Sequence, residues 1–398
     1  MVPLRLPLRW LVVLLAAATL HAEPAQSKPG IRKIEDITVY KDVRFYSSFP
    51  SIVRRPDGEL LLAFRRAPDR RRFGSPEATH SDPNSFLMLV RSKDSGKTWS
   101  KEPELIYAHP FGGSQDPCMV QLSDNSILCT SYAWALQETP QPPPPPGKRR
   151  SWVTGSKFAT LGGYILRSVD GGKSWQPPIV APHGKNDDRL DVFGNPKPAF
   201  QRGAMCEGTD GRLYWAVQTH ADSDKPSART QSYLMISDDK GSTWKESCAI
   251  AVDPKAGFNE TSLYETPKGD LVAFMRTENL NDHLCIARST DRGKSFQKWQ
   301  DMGFQGHPSY ALRLPDKRVL LVYGYRHAPY GIRARVLNAE CTDAATAPEV
   351  ILRDDGGSRD IGYPWATLIS KKRALVVYYL HKEESDARSI ESTVVEIQ

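Results

Sequence analysis

Several side chains that can transfer protons or bind anions stand at the ends of strand-like segments in this chain. Glu260 begins one such segment, Arg276 ends the segment that follows it, and Tyr363 lies near the start of another. A carboxylate can take a proton from a hydroxyl group that it contacts, and a guanidinium can bind a carboxylate through two parallel hydrogen bonds. Residues this far apart in sequence act together only if the fold brings these strand ends to one place, so the repeats of the chain matter next.

A short motif, Ser-x-Asp-x-Gly-x-[Ser/Thr]-[Trp/Phe], occurs four times. The copies are Ser92–Trp99, Ser168–Trp175, Ser237–Trp244 and Ser289–Phe296, and they begin 76, 69 and 52 residues apart. The Asp and Gly suit a tight turn, because Asp bonds nearby backbone N–H groups and Gly accepts a positive φ. The pattern resembles the Asp-box of sialidases and their β-propeller relatives. Four copies predict a repeat architecture; the box is structural and therefore indicates the fold, not the chemistry.

A second repeat predicts the number of blades. Polar turn sequences join two apolar, strand-like stretches at six places, as β-hairpins require. They are Pro56-Asp57-Gly58, Ser123-Asp124-Asn125, Thr209-Asp210-Gly211, Pro267-Lys268-Gly269, Pro315-Asp316-Lys317 and Ser370-Lys371-Lys372. We therefore predict an all-β, six-bladed β-propeller of four-stranded antiparallel blades, the first four with Asp-boxes. The last strand-like segment, Ser392–Ile397, is expected to close the ring against Ile37–Tyr40.

The N-terminus and the composition indicate an exported globular protein. Arg5 and Arg9 precede an apolar run at 11–18 and small residues up to Ala22, which predicts a signal peptide over 1–22. We expect a linker at 23–36, one propeller domain at 37–398, a secreted or periplasmic location and no membrane span after signal removal. The formal charge of +7 falls by two, to +5, when both arginines leave. The other basic residues are mostly dispersed, which argues against nucleic-acid binding.

Cysteines and prolines add two local expectations. The six cysteines show no spacing typical of a metal site. Cys118 and Cys129 flank a predicted hairpin, and a two-residue turn at Ser123-Asp124 would set them opposite each other, so a disulfide and two buried thiols are both open. Five consecutive prolines, Pro142–Pro146, cannot join a sheet ladder and predict an insertion loop in the second blade.

The resemblance to sialidases also covers the strand-end residues. Sialidases use a Tyr activated by a Glu as nucleophile, an Asp as general acid and base, and three Arg that bind the substrate carboxylate. The resemblance implies Tyr363 as nucleophile and Glu260 as its base. It also implies Arg276 and Arg326 as two of the carboxylate-binding arginines, with Arg333 and Arg335 as alternatives to Arg326.

The general acid implied by the resemblance is Asp82, which precedes the first Asp-box, with Asp69 and His80 as alternatives. Asp116, at the start of the second blade, resembles the family's ligand of a sugar hydroxyl. Each candidate also has an ordinary structural role. An Asp in a loop can be solvated or can cap a turn, and a Tyr at a strand start can pack in the core.

The resemblance fails at the first of the three arginines. The family's [Phe/Tyr]-Arg-Ile-Pro motif corresponds here to Ser47-Ser48-Phe49-Pro50, with Ser48 in place of Arg, and the Glu that braces this Arg corresponds to Tyr379. Loss of the Arg alone would leave a buried carboxylate unpaired, so loss of both indicates a reshaped subsite. Arg44, Arg65 and Arg66 are the nearby residues that could supply a substitute guanidinium.

Three functions follow from these observations. The first is a secreted glycoside hydrolase resembling exo-α-sialidases, which acts on glycans or glycoconjugates and needs no metal or organic cofactor. The second is a glycosidase of the same fold for another sugar, and the third is a non-catalytic carbohydrate-binding propeller. The mechanism of the first requires the Tyr363 hydroxyl to lie within about 4 Å of Glu260.

Overall fold

The computed structural model describes residues 30–75, 80–137, 143–150, 158–185, 187–220 and 230–398, together with Met1. Apart from Met1, the predicted signal peptide lies outside these residues and remains a prediction. In the described ranges the regular elements are β-strands and one short 3-10 helix, Arg70–Phe73. No helix there is long and apolar enough to span a membrane.

The strands run from β1 to β26 in chain order. They are β1 Ile31–Tyr40, β2 Phe45–Arg54, β3 Leu60–Pro68, β4 Phe86–Ser92, β5 Glu104–Tyr107, β6 Gly113–Gln121, β7 Ile127–Leu136, β8 Arg149–Arg150, β9 Phe158–Ser168, β10 Ile179–Val180, β11 Arg189–Leu190, β12 Cys206–Glu207, β13 Leu213–His220, β14 Thr230–Ser237, β15 Lys245–Ala251, β16 Gly257–Glu265, β17 Leu271–Glu278, β18 His283–Ser289, β19 Gln300–Gln305, β20 Ser309–Arg313, β21 Val319–Tyr325, β22 Gly331–Leu337, β23 Glu349–Arg353, β24 Gly362–Ser370, β25 Arg373–Leu380 and β26 Ser389–Ile397.

Of the strands in the described ranges, 24 form six four-stranded antiparallel blades, which confirms the predicted propeller, and β8 and β11 form a separate parallel pair. Blade 1 is β2–β5, blade 2 is β6, β7, β9 and β10, and blades 3, 4 and 5 are β12–β15, β16–β19 and β20–β23. Blade 6 consists of β24, β25, β26 and the N-terminal strand β1. Each of the six predicted turns joins the first two strands of its blade. The described part of the proline-rich segment lies between β7 and β9, inside blade 2 as predicted.

The ring is closed by the pairing of the first strand with the last. β1 runs antiparallel to β26, with Ile31 opposite Ile397 and Ile37 opposite Ser392. The predicted closing pair is therefore confirmed. Because β1 begins at Ile31, residues 31–36 of the segment assigned to a linker belong to the propeller.

The core is divided among the interfaces between blades. Six clusters of buried apolar residues are present in the described residues, and each contains side chains from two neighbouring blades. Blades 1 and 6 share Leu60 and Leu375, for example, and blades 4 and 5 share Phe274 and Leu321. Because burial of apolar surface is the main favourable term in folding, each blade depends on its two neighbours.

Each Asp-box is a hydrogen-bonded turn that also contacts the preceding blade. In the first box, Thr98 donates its backbone N–H and its hydroxyl to Asp94, and the Gly96 N–H donates to Ser92 Oγ. Gly96 has φ +88°, and a Cβ there would lie 2.8 Å from Leu375 of blade 6. The box therefore needs glycine both for its backbone angle and for close packing between blades.

The disulfide alternative for Cys118 and Cys129 is wrong. Cys129 pairs with Met119 and Cys118 with Thr130, so the register is offset by one residue from the arrangement that opposes the two thiols. A shift of one residue puts the two side chains on opposite faces of the sheet. Both are buried free thiols.

The packing role of the box glycine predicts a measurable cost. Gly96→Ala is expected to lower the free energy of unfolding through its positive φ and through the contact with Leu375. Gly269→Ala is the matched control, since Gly269 has the same φ of +88° and no heavy atom within 4 Å of an added Cβ. Overpacking a core costs about 1–3 kcal/mol, so Gly96→Ala should lose about that much more than Gly269→Ala in urea unfolding. Equal losses would show that the box does not tighten the interface.

Candidate active site

Tyr363, Glu260 and Arg276 form one hydrogen-bonded group between blades 4 and 6. Tyr363 Oη donates to Glu260 Oε1 at 2.7 Å, and Arg276 Nη1 donates to Glu260 Oε2 at 2.5 Å. Arg276 Nη1 also lies 3.2 Å from Tyr363 Oη. The separation required between Tyr363 and Glu260 is therefore met, and the three residues can move a proton from the phenol to the carboxylate.

The electrostatics set the resting protonation states of this pair. Burial raises the pKa of Tyr363 and the charge of Glu260 raises it further, so the free protein holds a neutral phenol. Burial also opposes the ionisation of Glu260, but the charge and hydrogen bond of Arg276 outweigh it and lower the pKa of this carboxyl. Glu260 is therefore an anion in contact with a phenolic proton that it can accept.

Backbone irregularities turn the site residues toward one another. Phe49, Asp116, Glu260 and Tyr363 have φ values of 56°, 40°, 35° and 53°, in the left-handed region that non-glycine residues seldom adopt. Each lies at a register shift between the first two strands of its blade, in blades 1, 2, 4 and 6 respectively. A β-bulge of this kind re-aims one side chain, and such strain concentrates at functional sites.

Arg326 is the arginine of blade 5 that reaches this group. Its guanidinium carbon lies 5.4 Å from the centre of the Tyr363 ring, and its Nη2 is 3.4 Å from Tyr379 Oη. Its Nε donates to the backbone carbonyl of Arg359 at 2.6 Å. The alternatives Arg333 and Arg335 instead stack on Tyr325 and Phe304 and lie within ion-pair distance of Glu349.

Arg202 is a site residue that sequence reasoning missed. It donates to the backbone carbonyls of Phe49, Pro50 and Tyr363, and its guanidinium carbon lies 4.9 Å from the centre of the Tyr363 ring. It is 3% exposed, so its charge acts on the site through little water. The sequence feature that could have identified Arg202 is its position just before the first strand of blade 3.

The place of the missing arginine is occupied by aromatic side chains. Ser48 is buried and pairs with Arg65 on β3, whereas Phe49 at the bulge faces the site. The Phe49 ring lies 4.7 Å from that of Tyr363 and 5.2 Å from that of Tyr379. In the predicted reshaped subsite, the rings of Phe49 and Tyr379 therefore pack beside the nucleophile candidate.

Asp360 is a second residue that sequence reasoning missed. Its carboxylate accepts hydrogen bonds from Tyr46 at 2.8 Å, from Tyr379 at 2.9 Å and from Arg388 Nε at 2.9 Å. Burial opposes its ionisation, yet His80 and Arg388 together with these hydrogen bonds hold the pKa of Asp360 well below its usual value. A partly buried anion therefore lies next to Tyr46 and Tyr379.

Of the three possible substitutes for the missing arginine, only Arg65 lies near the site. Arg44 is mostly exposed and pairs with Asp42, and Arg66 stacks on Phe45 and bonds Tyr40. Arg65 is fully buried over the rings of Tyr46 and Phe49. Burial lowers its pKa, while Tyr46, Asp82 and Asp116 oppose that effect.

The side-chain contacts of Asp82 are with Arg70 and Asn84. The Asp82 side chain is fully buried and forms a bidentate ion pair with Arg70, with N–O distances of 2.5 and 3.0 Å. Its carboxylate also accepts a hydrogen bond from the Asn84 N–H at 2.7 Å. No hydrogen bond or ion pair in the described ranges joins Asp82 to Tyr363, Glu260 or Arg276. Asp69, the first alternative, caps the 3-10 helix and pairs with Arg71.

Asp116 lies near the group, as its predicted role as a sugar ligand requires. Oδ2 accepts from Tyr132 Oη at 2.8 Å, and Oδ1 is buried without a hydrogen bond in the described structure. Burial raises the pKa of Asp116 to about 6; Arg202 opposes this rise and Glu260 adds to it. The carboxyl thus has an open acceptor and a protonation state that changes near neutral pH.

Comparisons with known proteins agree with this fold. The model of the BNR repeat-like domain family matches residues 149–375. A protein of unknown function from Dyadobacter fermentans DSM 18053 shares 54% identity over 93% of this chain and 100% of its own, with a TM-score of 0.87. NanB sialidase from Streptococcus pneumoniae shares 13% identity over 90% of this chain and 70% of its own, with a TM-score of 0.61.

An alpha-L-arabinanase from Penicillium chrysogenum shares 14% identity over 92% of this chain and 99% of its own, with a TM-score of 0.62. Among curated protein sequences, none matches the chain. The repeats and the fold define a sialidase-like six-bladed propeller. Because the family model matches more than half of the residues, the chain belongs to the BNR repeat-like domain family.

The raised pKa of Asp116 predicts a pH-dependent effect on stability. The folded-state pKa of about 6 lies above the ordinary value of 3.8, so this carboxyl costs folding free energy as the pH rises from about 4 to about 6. Asp116→Asn should therefore gain on the order of 2–3 kcal/mol more over wild type at pH 8 than at pH 3.5, measured by urea unfolding.

Asp94→Asn is the control for this prediction. Hydrogen bonds from Thr98 lower the pKa of Asp94 to about 2, so removal of this charge should destabilise the protein at pH 8. A gain for Asp116→Asn that is the same at both pH values would contradict the assigned burial of its charge.

Proposed function

We propose that the chain is an exported retaining exo-glycosidase that removes a terminal sialic acid or a related acidic sugar from glycans. The observation that carries the proposal is the 2.7 Å hydrogen bond from Tyr363 Oη to Glu260, with Arg276 on the far oxygen of Glu260. In the first step, Tyr363 Oη attacks the anomeric carbon and its proton passes to Glu260. Water then releases the sugar from Tyr363 with retained configuration.

An acidic substrate explains why the nucleophile would be a tyrosine and not a carboxylate. A carboxylate nucleophile would be repelled by a substrate carboxylate next to the anomeric carbon, whereas a phenol is neutral until it reacts. Arg276, Arg326 and Arg202 all lie within contact of Tyr363, and guanidinium groups bind carboxylates strongly where water is scarce. This concentration of positive charge supports an anionic substrate.

A second candidate is a glycosidase of the same fold for a different sugar. Phe49 and Tyr379 present rings where the resemblance leads us to expect an arginine and its carboxylate brace. Both rings are fully buried, so their effect on specificity is the loss of a guanidinium that would bind a substrate carboxylate. A carbohydrate-binding propeller without activity is the least supported candidate, because binding alone gives no reason to hold a phenol against a buried carboxylate.

Hydrolysis assays test the proposal directly. The purified chain should release 4-methylumbelliferone from its α-sialoside or from another acidic glycoside, and Tyr363→Phe should abolish turnover because the nucleophilic oxygen is gone. Tyr378→Phe is the matched control, since its buried hydroxyl bonds Thr393 and not the site. Wild-type protein that cleaves no glycoside in a panel of acidic and neutral sugars would overturn the proposed activity.

The role of the arginines is tested by substrate charge. Arg326→Gln removes a guanidinium beside Tyr363 and should raise KM for an acidic glycoside by about 10- to 100-fold, the cost of about 1.5–3 kcal/mol for a charge-assisted hydrogen bond. The matching neutral glycoside should change little. Equal effects on both substrates would indicate that Arg326 supports the site without binding the carboxylate.

A further inference from the structure

We propose that His80, which lies beside Asp360, is the group that protonates the leaving oxygen and later activates water. The inference rests on the proposed glycosidase function and deepens it. The sequence pattern implied Asp82 for this role, with His80 as an alternative; the contacts of these two residues separate them.

Asp82 is unsuited to proton transfer in this structure. Its oxygens accept two hydrogen bonds from Arg70 and one from the Asn84 N–H, and its side chain has no exposed surface. A general acid must carry a proton and reach the substrate oxygen. Protonation of Asp82 would remove the negative charge that accepts both hydrogen bonds from Arg70, at a side chain with no exposed surface.

His80 has the access that Asp82 lacks. Its side chain is 54% exposed, and its ring packs edge-on against Phe49 with 5.4 Å between centroids. The Phe49 ring also contacts the Tyr363 ring, with 4.7 Å between centroids. One aromatic side chain therefore separates the imidazole from the proposed nucleophile, and a sugar bound over Tyr363 would lie within reach of His80.

The two ring nitrogens of His80 have different surroundings. Nδ1 lies 3.5 Å from Tyr46 Oη and 3.8 Å from Asp360 Oδ1. Across the described ranges of the chain, no residue forms a hydrogen bond with Nε2. An imidazole with one nitrogen facing a carboxylate and the other open resembles the arrangement of histidines that transfer protons.

Charged groups from several elements lie around His80. Asp360 is anionic, and Asp116 on β6 interacts with His80 through its charge. Arg388 is bound to the same carboxylate, with its Nε donating to Asp360 Oδ2 at 2.9 Å. Tyr46, the remaining titratable contact, is neutral because burial raises its pKa well above the ordinary value.

The proposed steps balance. Tyr363 Oη forms a bond to the anomeric carbon and gives its proton to Glu260, while the glycosidic C–O bond breaks and the leaving oxygen takes the Nε2 proton of His80. Neutral His80 then accepts a proton from water as the water oxygen attacks the anomeric carbon. The bond to Tyr363 breaks, and the phenolate recovers its proton from Glu260.

Leaving-group dependence tests this assignment. His80→Gln should lower kcat/KM about 10²- to 10⁴-fold for glycosides with an alcohol or sugar leaving group, the usual contribution of general acid catalysis. The same variant should form the glycosyl-enzyme nearly as fast as wild type from a dinitrophenyl glycoside, which needs no proton. It should then accumulate a Tyr363-linked intermediate, seen by intact-protein mass spectrometry and released faster by azide.

His283→Gln is the matched control, because His283 forms a similar pair with Asp301 in the outer strands of blade 4. It should behave as wild type with every leaving group. An active wild type in which Asp82→Asn shows the leaving-group dependence and His80→Gln does not would overturn the assignment of His80 alone. A wild type inactive on all glycosides would overturn the proposed function, and this assignment with it.

Discussion

Closure of the ring is the constraint on which the rest of this protein depends. Each blade buries its apolar faces against two neighbours, so a blade at an open end would expose one whole core cluster to water. The pairing of β1 with β26 removes that open end by completing blade 6. With the six sheets held in a circle, the first strands of neighbouring blades contact each other, and residues from blades 4 and 6 can share hydrogen bonds.

A regular ring alone would not make the site. Glu260 and Tyr363 reach each other because one residue in each of their strands adopts a left-handed backbone and leaves the ladder. Phe49 and Asp116 occupy the same kind of position in blades 1 and 2. Such angles cost on the order of 1–3 kcal/mol each and persist only where surrounding packing fixes them. The closed ring supplies that packing, so the stable scaffold and the strained site are coupled.

The fold could be predicted from sequence because its signals are local. Asp-boxes and hairpin turns satisfy their own hydrogen bonds, and Ser92–Trp99 identifies its turn without any distant residue. Tyr363, Glu260, Arg276 and Arg326 were predicted together because the resemblance to sialidases implies all four. The register shift that exchanges Ser48 for Phe49 has no local signal, nor has the Asp360 network, which joins residues from three parts of the chain. The ion pair between Arg70 and Asp82 likewise has no local signal, because it forms only when the loop between β3 and β4 folds back on itself.

The pairing of β1 with β26 also sets an order of assembly. The two strands meet across 364 positions of sequence, at Arg32 and Glu396, so this contact has the largest loop-closure cost in the ring. During synthesis, β1 emerges first and must wait for β26, the final strand. Contacts of such long range slow folding, so the sheet that holds Tyr363 is completed last. Completion of blade 6 therefore coincides with the final event of folding, and a chain stalled one strand short would hold five finished blades and an incomplete sixth.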